Sequence, residues 1–184
     1  MIWGTCNTTL DADTCSGNMD WFASSLKTKC SAELSQRNPF VVNTLDGLDL
    51  FALSRQAGCL SNTDTNVYCY VQAAAQPNAS DLYLYQVLSG LRIPNNTKPT
   101  CSPCTKNLMS LFVSAITGQG RIEDDDVRNM LAQAYAHAAD ITVNVCGSGF
   151  VQSITIEGSG SPRLSLSLSS LWFALFVGCI SMVF

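Results

Sequence analysis

Apolar residues recur at helical spacing along most of the chain. Between Asp11 and Cys30, Met19, Phe22, Ala23 and Leu26 share one face, which predicts a helix capped by Thr14 or Ser16. Lys27 and Lys29 fall in its last turn, where cations meet the negative end of the helix dipole. A loop through Ser35 leads to Asn38-Pro39, a helix-start pair because proline needs no amide hydrogen in the first turn. In the helix that follows, Val41, Val42, Leu45, Leu48, Ala52 and Leu53 form one face, and Asp46, Asp49 and Arg55 the other. Gly47 costs about 1 kcal/mol against alanine inside a helix, so a kink is expected there, with Gly58 as the stop.

The middle of the chain is less regular. Ser61 to Asn66 is a polar turn between Cys59 and Cys69. Val67 to Ala75 mixes strand-favouring aromatics with helix-favouring alanines; helix is the expectation. Asp81 to Leu88 fits neither period, and Leu91 to Thr100, with two prolines, reads as loop.

Two clear helices close the pattern. Ser102-Pro103 opens the first with a capping residue and a proline. Leu108, Met109, Phe112, Val113 and Ile116 then form a stripe ending at Gly118. The short connection Gln119 to Glu123 predicts an antiparallel return. That return runs from Asp124 to Val145, with Val127, Met130, Leu131, Ala134, Tyr135, Ala138, Ile141 and Val145 inward and Gly147 as the stop. Antiparallel packing brings Cys146 to Cys101 or Cys104. The expected fold is therefore mainly α: a disulfide-stapled bundle of about four to six helices with long loops over residues 1–151. Phe150 and Val151 are expected to pack back on it, and residues 152–170 to form a disordered Ser/Gly stalk.

The last stretch, residues 171–184, is uniformly apolar. At 14 residues it falls short of the roughly 20 needed to span a bilayer, and no Lys or Arg follows to hold its end in the cytoplasm. Small residues at Gly158 to Ser161, a Ser-rich spacer and an apolar end are the order of a glycosylphosphatidylinositol (GPI) signal, in which the tail is exchanged for lipid. Ser159 or Gly160 is the expected attachment residue. The start, Met1-Ile-Trp-Gly-Thr-Cys6, lacks the basic and apolar segments of a secretory signal; the expectation is a chain truncated upstream.

Composition changes the picture mainly through cysteine. There are 9 Cys, and removal of the tail with Cys179 leaves Cys6, Cys15, Cys30, Cys59, Cys69, Cys101, Cys104 and Cys146. An even set in a secreted domain predicts four disulfides. Eight cysteines allow 105 pairings; beyond a Cys146 bond, Cys59 with Cys69 is the one pairing expected. Sequons at Asn7, Asn78 and Asn95 are candidate N-glycosylation sites. A net charge of −4 without a basic block gives no footprint for nucleic acid.

Four segments carry a likeness to a known family: Y-C-Y-V-Q-A at Tyr68 to Ala73, D-L-Y-L-Y at Asp81 to Tyr85, T-C-S-P-C-T-K-N-L-M at Thr100 to Met109, and C-G-S-G-F-V at Cys146 to Val151. Over roughly Trp3 to Val151 the chain resembles a family of fungal, secreted, cysteine-rich and frequently GPI-tailed proteins known as a domain of unknown function. The resemblance implies a cell-surface or cell-wall location and a helical, disulfide-bonded fold. It brings no catalytic residue.

Candidate chemistry is sparse. Cys101-Ser102-Pro103-Cys104 at a helix start has the form of a thioredoxin-type redox site, but the buried strand that should precede it is missing, and structural disulfides are expected. Zinc on the same pair needs further soft ligands and reduced thiols. His137 lies mid-helix three residues before Asp140, and no Ser in a G-x-S-x-G setting partners it. Glu123 to Asp126 reads as helix-capping acid rather than a calcium loop. Tyr68, Tyr70, Tyr83 and Tyr85 alternate, as a sugar-binding platform or as core. No catalytic, metal or cofactor residue is assigned. The expected role is that of a non-catalytic surface protein, structural or binding, held by a GPI lipid and with cell-wall glycan as a candidate partner. The alternatives are an extracellular binder of a small molecule (haem or lipid) and, last, a wall-acting hydrolase. Oligomeric state is unassigned.

Overall fold

A computed structural model describes residues 2–118, 122 and 124–154. The GPI signal, its attachment residues Ser159 and Gly160, Glu123, Cys179 and most of the stalk lie outside the described residues. Among the described residues the fold is mainly helical, and no helix is long and apolar enough to cross a membrane.

The chain begins with α1 (Ile2–Cys6) and α2 (Ala12–Lys29). Asp11, not Thr14 or Ser16, caps α2: its carboxylate accepts the Thr14 amide at 2.7 Å. A short α3 (Ser31–Ser35) ends in a Schellman turn. There Asn38 N–H reaches Glu33 O and Arg37 N–H reaches Leu34 O, with Arg37 at φ 53°.

Asn38 then caps α4 (Pro39–Asp49), as the Asn-Pro pair predicts. The long helix expected here is broken at Leu50, three residues beyond Gly47. Leu50 is buried and caps both α4 and α5 (Phe51–Cys59), so the break is set by packing rather than by glycine flexibility. A two-strand hairpin, β1 (Ser61–Asn62) and β2 (Val67–Tyr68), pairs Ser61 with Tyr68 and turns through Asn66 at φ 53°.

Next come α6 (Cys69–Ala75), α7 (Ser80–Tyr83) and a 3-10 helix at Leu84–Ser89. The ambiguous Asp81 to Leu88 pattern thus resolves into two short turns with Leu84 and Val87 buried. Gly90 ends this segment at φ 68° against Met130, and any Cβ there would overlap the Met130 side chain.

The core is built on α8 (Pro103–Ile116) and α9 (Asp125–Cys146), which pack on each other. Ser102 Oγ caps α8 through the Thr105 amide at 3.2 Å. Asp124 caps α9 through the Asp126 and Val127 amides at 2.8 and 3.2 Å. Leu108, Met109, Phe112, Leu131, Tyr135 and Ala138 are all within 2% of full burial. Of the predicted inward face of α9, Val145 is instead exposed in the last turn, beside the Cys146 crosslink. Phe150 and Val151 pack back as expected, and so does Ile154. Tyr135 Oη donates to the Gln152 carbonyl, so the folded unit runs slightly past residue 151.

The α2 layer differs. It packs on α4 and α5, but only Ser16 and Ala23 are buried, and Phe22, expected to face inward, is 50% exposed.

Candidate functional site

Three disulfides staple the helices: Cys6–Cys59, Cys69–Cys104 and Cys101–Cys146. The last is one of the two expected Cys146 pairings, and it ties the start of α8 to the end of α9. The expected Cys59–Cys69 bond does not form. Cys59 ends α5 beside α1, while Cys69 begins α6 buried against α8, so each finds a different neighbour. Cys15 and Cys30 are unpaired, which corrects the expectation of four disulfides. They sit at opposite ends of α2, about 22 Å apart along its axis, far beyond disulfide reach. A bond at either would need a partner outside the described residues.

The Cys-Ser-Pro-Cys motif is thereby accounted for. Its two cysteines bond to different helices instead of to each other, so this pair does not form a redox dithiol. His137 Nε2 lies 3.0 Å from the Ile93 carbonyl, where it pins the loop after the 3-10 helix onto α9; Asp140 is exposed. Among the described residues no group of three His, Cys, Asp or Glu side chains could hold a metal ion.

The four tyrosines separate. Tyr68 Oη accepts a hydrogen bond from Asn7 Nδ2 at 2.7 Å, and Tyr83 packs against the core. Tyr70 and Tyr85 meet edge to face, with centroids 5.0 Å apart. This pair lines an open cleft of about 420 Å³ with Ile2, Leu82 and Leu88, and with the polar side chains of Ser54, Gln86 and Ser89. Burial, then the Asp81 charge and Tyr70, push the Tyr85 hydroxyl well above its usual range, so it stays a neutral donor. The pattern of alternating tyrosines pointed to this surface, but it did not say which two would meet.

A second cleft, of about 640 Å³, opens between α4 and the start of α9. Leu34, Pro39, Val42, Leu45, Val127 and Met130 make it apolar; Asp46, Asp124, Asp126 and Arg37 supply charge. Burial, and then Asp124, Asp49 and Asp126, raise the Asp46 carboxyl above the usual aspartate value. Periodicity placed Asp46 on the polar face of its helix and gave no sign of this cleft, because the wall is completed by residues nearly eighty positions away.

Fold and crosslinks together define a small helical domain of an oxidising, extracytoplasmic compartment. The chain belongs to the family described as domain of unknown function (DUF7729), whose model matches residues 1–156. No curated protein and no solved structure matches it.

Proposed function

We propose that this protein is a non-catalytic, GPI-anchored binding domain of the fungal cell surface, with cell-wall glycan as its ligand. The observation that carries the reading is the Tyr70–Tyr85 pair beside Ser54, Gln86 and Ser89 in an open cleft. Pyranose rings present an apolar face and a hydroxyl rim, and a neutral tyrosine pair edged by amide and hydroxyl groups complements both. The disulfides support the role by fixing the cleft walls: Cys69–Cys104 holds α6, which carries Tyr70. The small-residue, spacer and apolar-tail order supports anchoring.

Titration with soluble β-glucan and chitin oligosaccharides tests the ligand. Saturable binding that Tyr70→Ala weakens tenfold or more is the expected result; no binding to either polymer class sinks the glycan reading. Release of the protein from cells by a phosphatidylinositol-specific phospholipase tests the anchor separately.

The second cleft favours a different small-molecule reading. Its volume and apolar walls suit a hydrophobic ligand, but among its described residues three aspartates against one arginine oppose the carboxylates of haem or a fatty acid. A neutral or cationic amphiphile fits the charge.

A further inference from the structure

One buried polar side chain has no structural reason to be polar. Thr97 is 4% exposed, and its Oγ1 has no hydrogen-bond partner. Valine has the same shape without the cost of stripping water from an unpaired hydroxyl. A buried orphan of this kind asks for another explanation, and the sequence offers one. Thr97 is the hydroxyl residue of Asn95-Asn96-Thr97, and Asn95 itself is exposed on a turn closed by the Thr97 amide to Pro94 O at 3.0 Å.

The other sequons differ in how they use the asparagine amide. At Asn78-Ala79-Ser80, both the Ser80 amide (3.0 Å) and Ser80 Oγ (2.7 Å) donate to Asn78 Oδ1. The nitrogen of exposed Asn78 is therefore left to solvent. At Asn7 the nitrogen is fully used: Nδ2 donates to Trp3 O at 2.8 Å and to Tyr68 Oη at 2.7 Å. Attachment of a sugar there removes one of those two hydrogens and forces bulk into the α1–hairpin contact.

We propose that Asn95 and Asn78 carry N-linked glycans and that Asn7 stays unmodified in the folded protein. The co-reactant is a lipid pyrophosphate-linked oligosaccharide. Asn Nδ2 forms a bond to sugar C1 as the C1–O bond to pyrophosphate breaks. The lipid pyrophosphate departs, and one Nδ2 proton passes to a base of the transferase. Ser80 and Thr97 are both buried after folding, so transfer at Asn78 and Asn95 precedes folding. A chain that takes a sugar at Asn7 at that stage cannot complete the Asn7 contacts to Trp3 and Tyr68, and the folded protein is drawn from chains unmodified there. The two glycans leave from one end of the molecule, because Ser80 Oγ accepts the Lys98 amide at 3.0 Å and holds the Asn95 loop beside α7.

The test uses the full chain expressed through a eukaryotic secretory pathway, with site occupancy mapped by enzymatic deglycosylation in heavy-oxygen water and mass spectrometry. Occupied Asn95 and Asn78 with an unoccupied Asn7 is the expected pattern. Thr97→Val should lose the Asn95 glycan alone, and Thr97→Ser should retain it. In an Asn95→Gln background, which removes that glycan from both proteins without creating a charge, Thr97→Val should melt about 2–4 °C above its parent, the shift that follows from removing an unpaired buried hydroxyl. An unmodified Asn95, a glycan on Asn7 of the folded protein, or a Thr97→Val protein that melts below its Asn95→Gln parent overturns the proposal.

Discussion

The α8–α9 pair and the α2 layer are built from similar helices but hold together by different means. On α8 and α9 the apolar stripes meet each other and disappear: Phe112, Leu131 and Tyr135 have no exposed surface. On α2 an apolar stripe of equal promise stays half in water, with Phe22 50% and neighbouring Trp21 64% exposed. Amphipathic spacing establishes that a helix forms; it does not establish how much of the stripe another element will cover. The disulfides follow the same division, with α8 and α9 locked and the two unpaired cysteines in α2 (Cys15) and at its C-cap (Cys30).

The sharpest way to break this contrast is to truncate the same residue type in each region. Phe112→Ala should cost about 3–5 kcal/mol, the range for emptying a packed aromatic site. Phe22→Ala should cost under about 1 kcal/mol, as at other half-exposed positions. Chemical denaturation of both variants measures the difference. Equal losses would mean that α2 is as deeply packed in solution as the central pair.

The crosslinks provide the next test. Replacing Cys101 and Cys146 together by alanine should cost about 4 kcal/mol from the loop they close, of sequence separation 45. Alanine at Cys15 or Cys30 should cost far less, since neither closes a loop here. Alkylation of the folded protein, followed by peptide mapping, should label Cys15 and Cys30 and spare the other six described cysteines. Labelling of Cys101, or protection of Cys15, would redraw the disulfide map.

Smaller again is the effect of pH at the α4–α9 cleft. Burial and three neighbouring aspartates raise the Asp46 pKa above its unfolded value near 3.8. Between the two values the folded state holds more protons than the unfolded, so stability falls as pH rises through that window. Above it the penalty is fully present. Asp46→Asn should therefore raise the melting temperature at pH 7, and that gain should fade below about pH 4. A gain independent of pH would show that the amide helps by packing rather than by removing charge.

Much of the fold was legible in the residues. Ser102-Pro103 and Asn38-Pro39 open their helices as the capping rules require, and the α8–α9 hairpin with Cys101–Cys146 follows from two stripes and a short connection. Those signals are local, or span one turn. The illegible parts depend on distant surfaces. The Leu50 break comes from burial of a side chain between elements, and the Cys6–Cys59 and Cys69–Cys104 pairings depend on which helices end beside each other. The site divides likewise. Alternating tyrosines marked a surface, but that Tyr70 would meet Tyr85 while Tyr68 bonds Asn7 required the hairpin and the 3-10 helix to be placed first.

The finest test lies where α2 and α3 hand the chain to α4. Arg37 occupies the left-handed position of a Schellman turn usually filled by glycine. A side chain there is strained, while glycine costs extra backbone entropy in the unfolded chain. The two effects oppose each other, and at such positions the relief of strain wins. Arg37→Gly should raise stability by about 0.5–1 kcal/mol, read as a shift in denaturation midpoint without a change in slope. Because Arg37 also lines the acidic cleft, as its one cation among the described residues, the variant should enlarge the Asp46→Asn gain at neutral pH, so the two substitutions together should exceed their sum. Strict additivity would mean that the guanidinium does not reach the aspartates and that its place in the turn is a matter of backbone geometry alone.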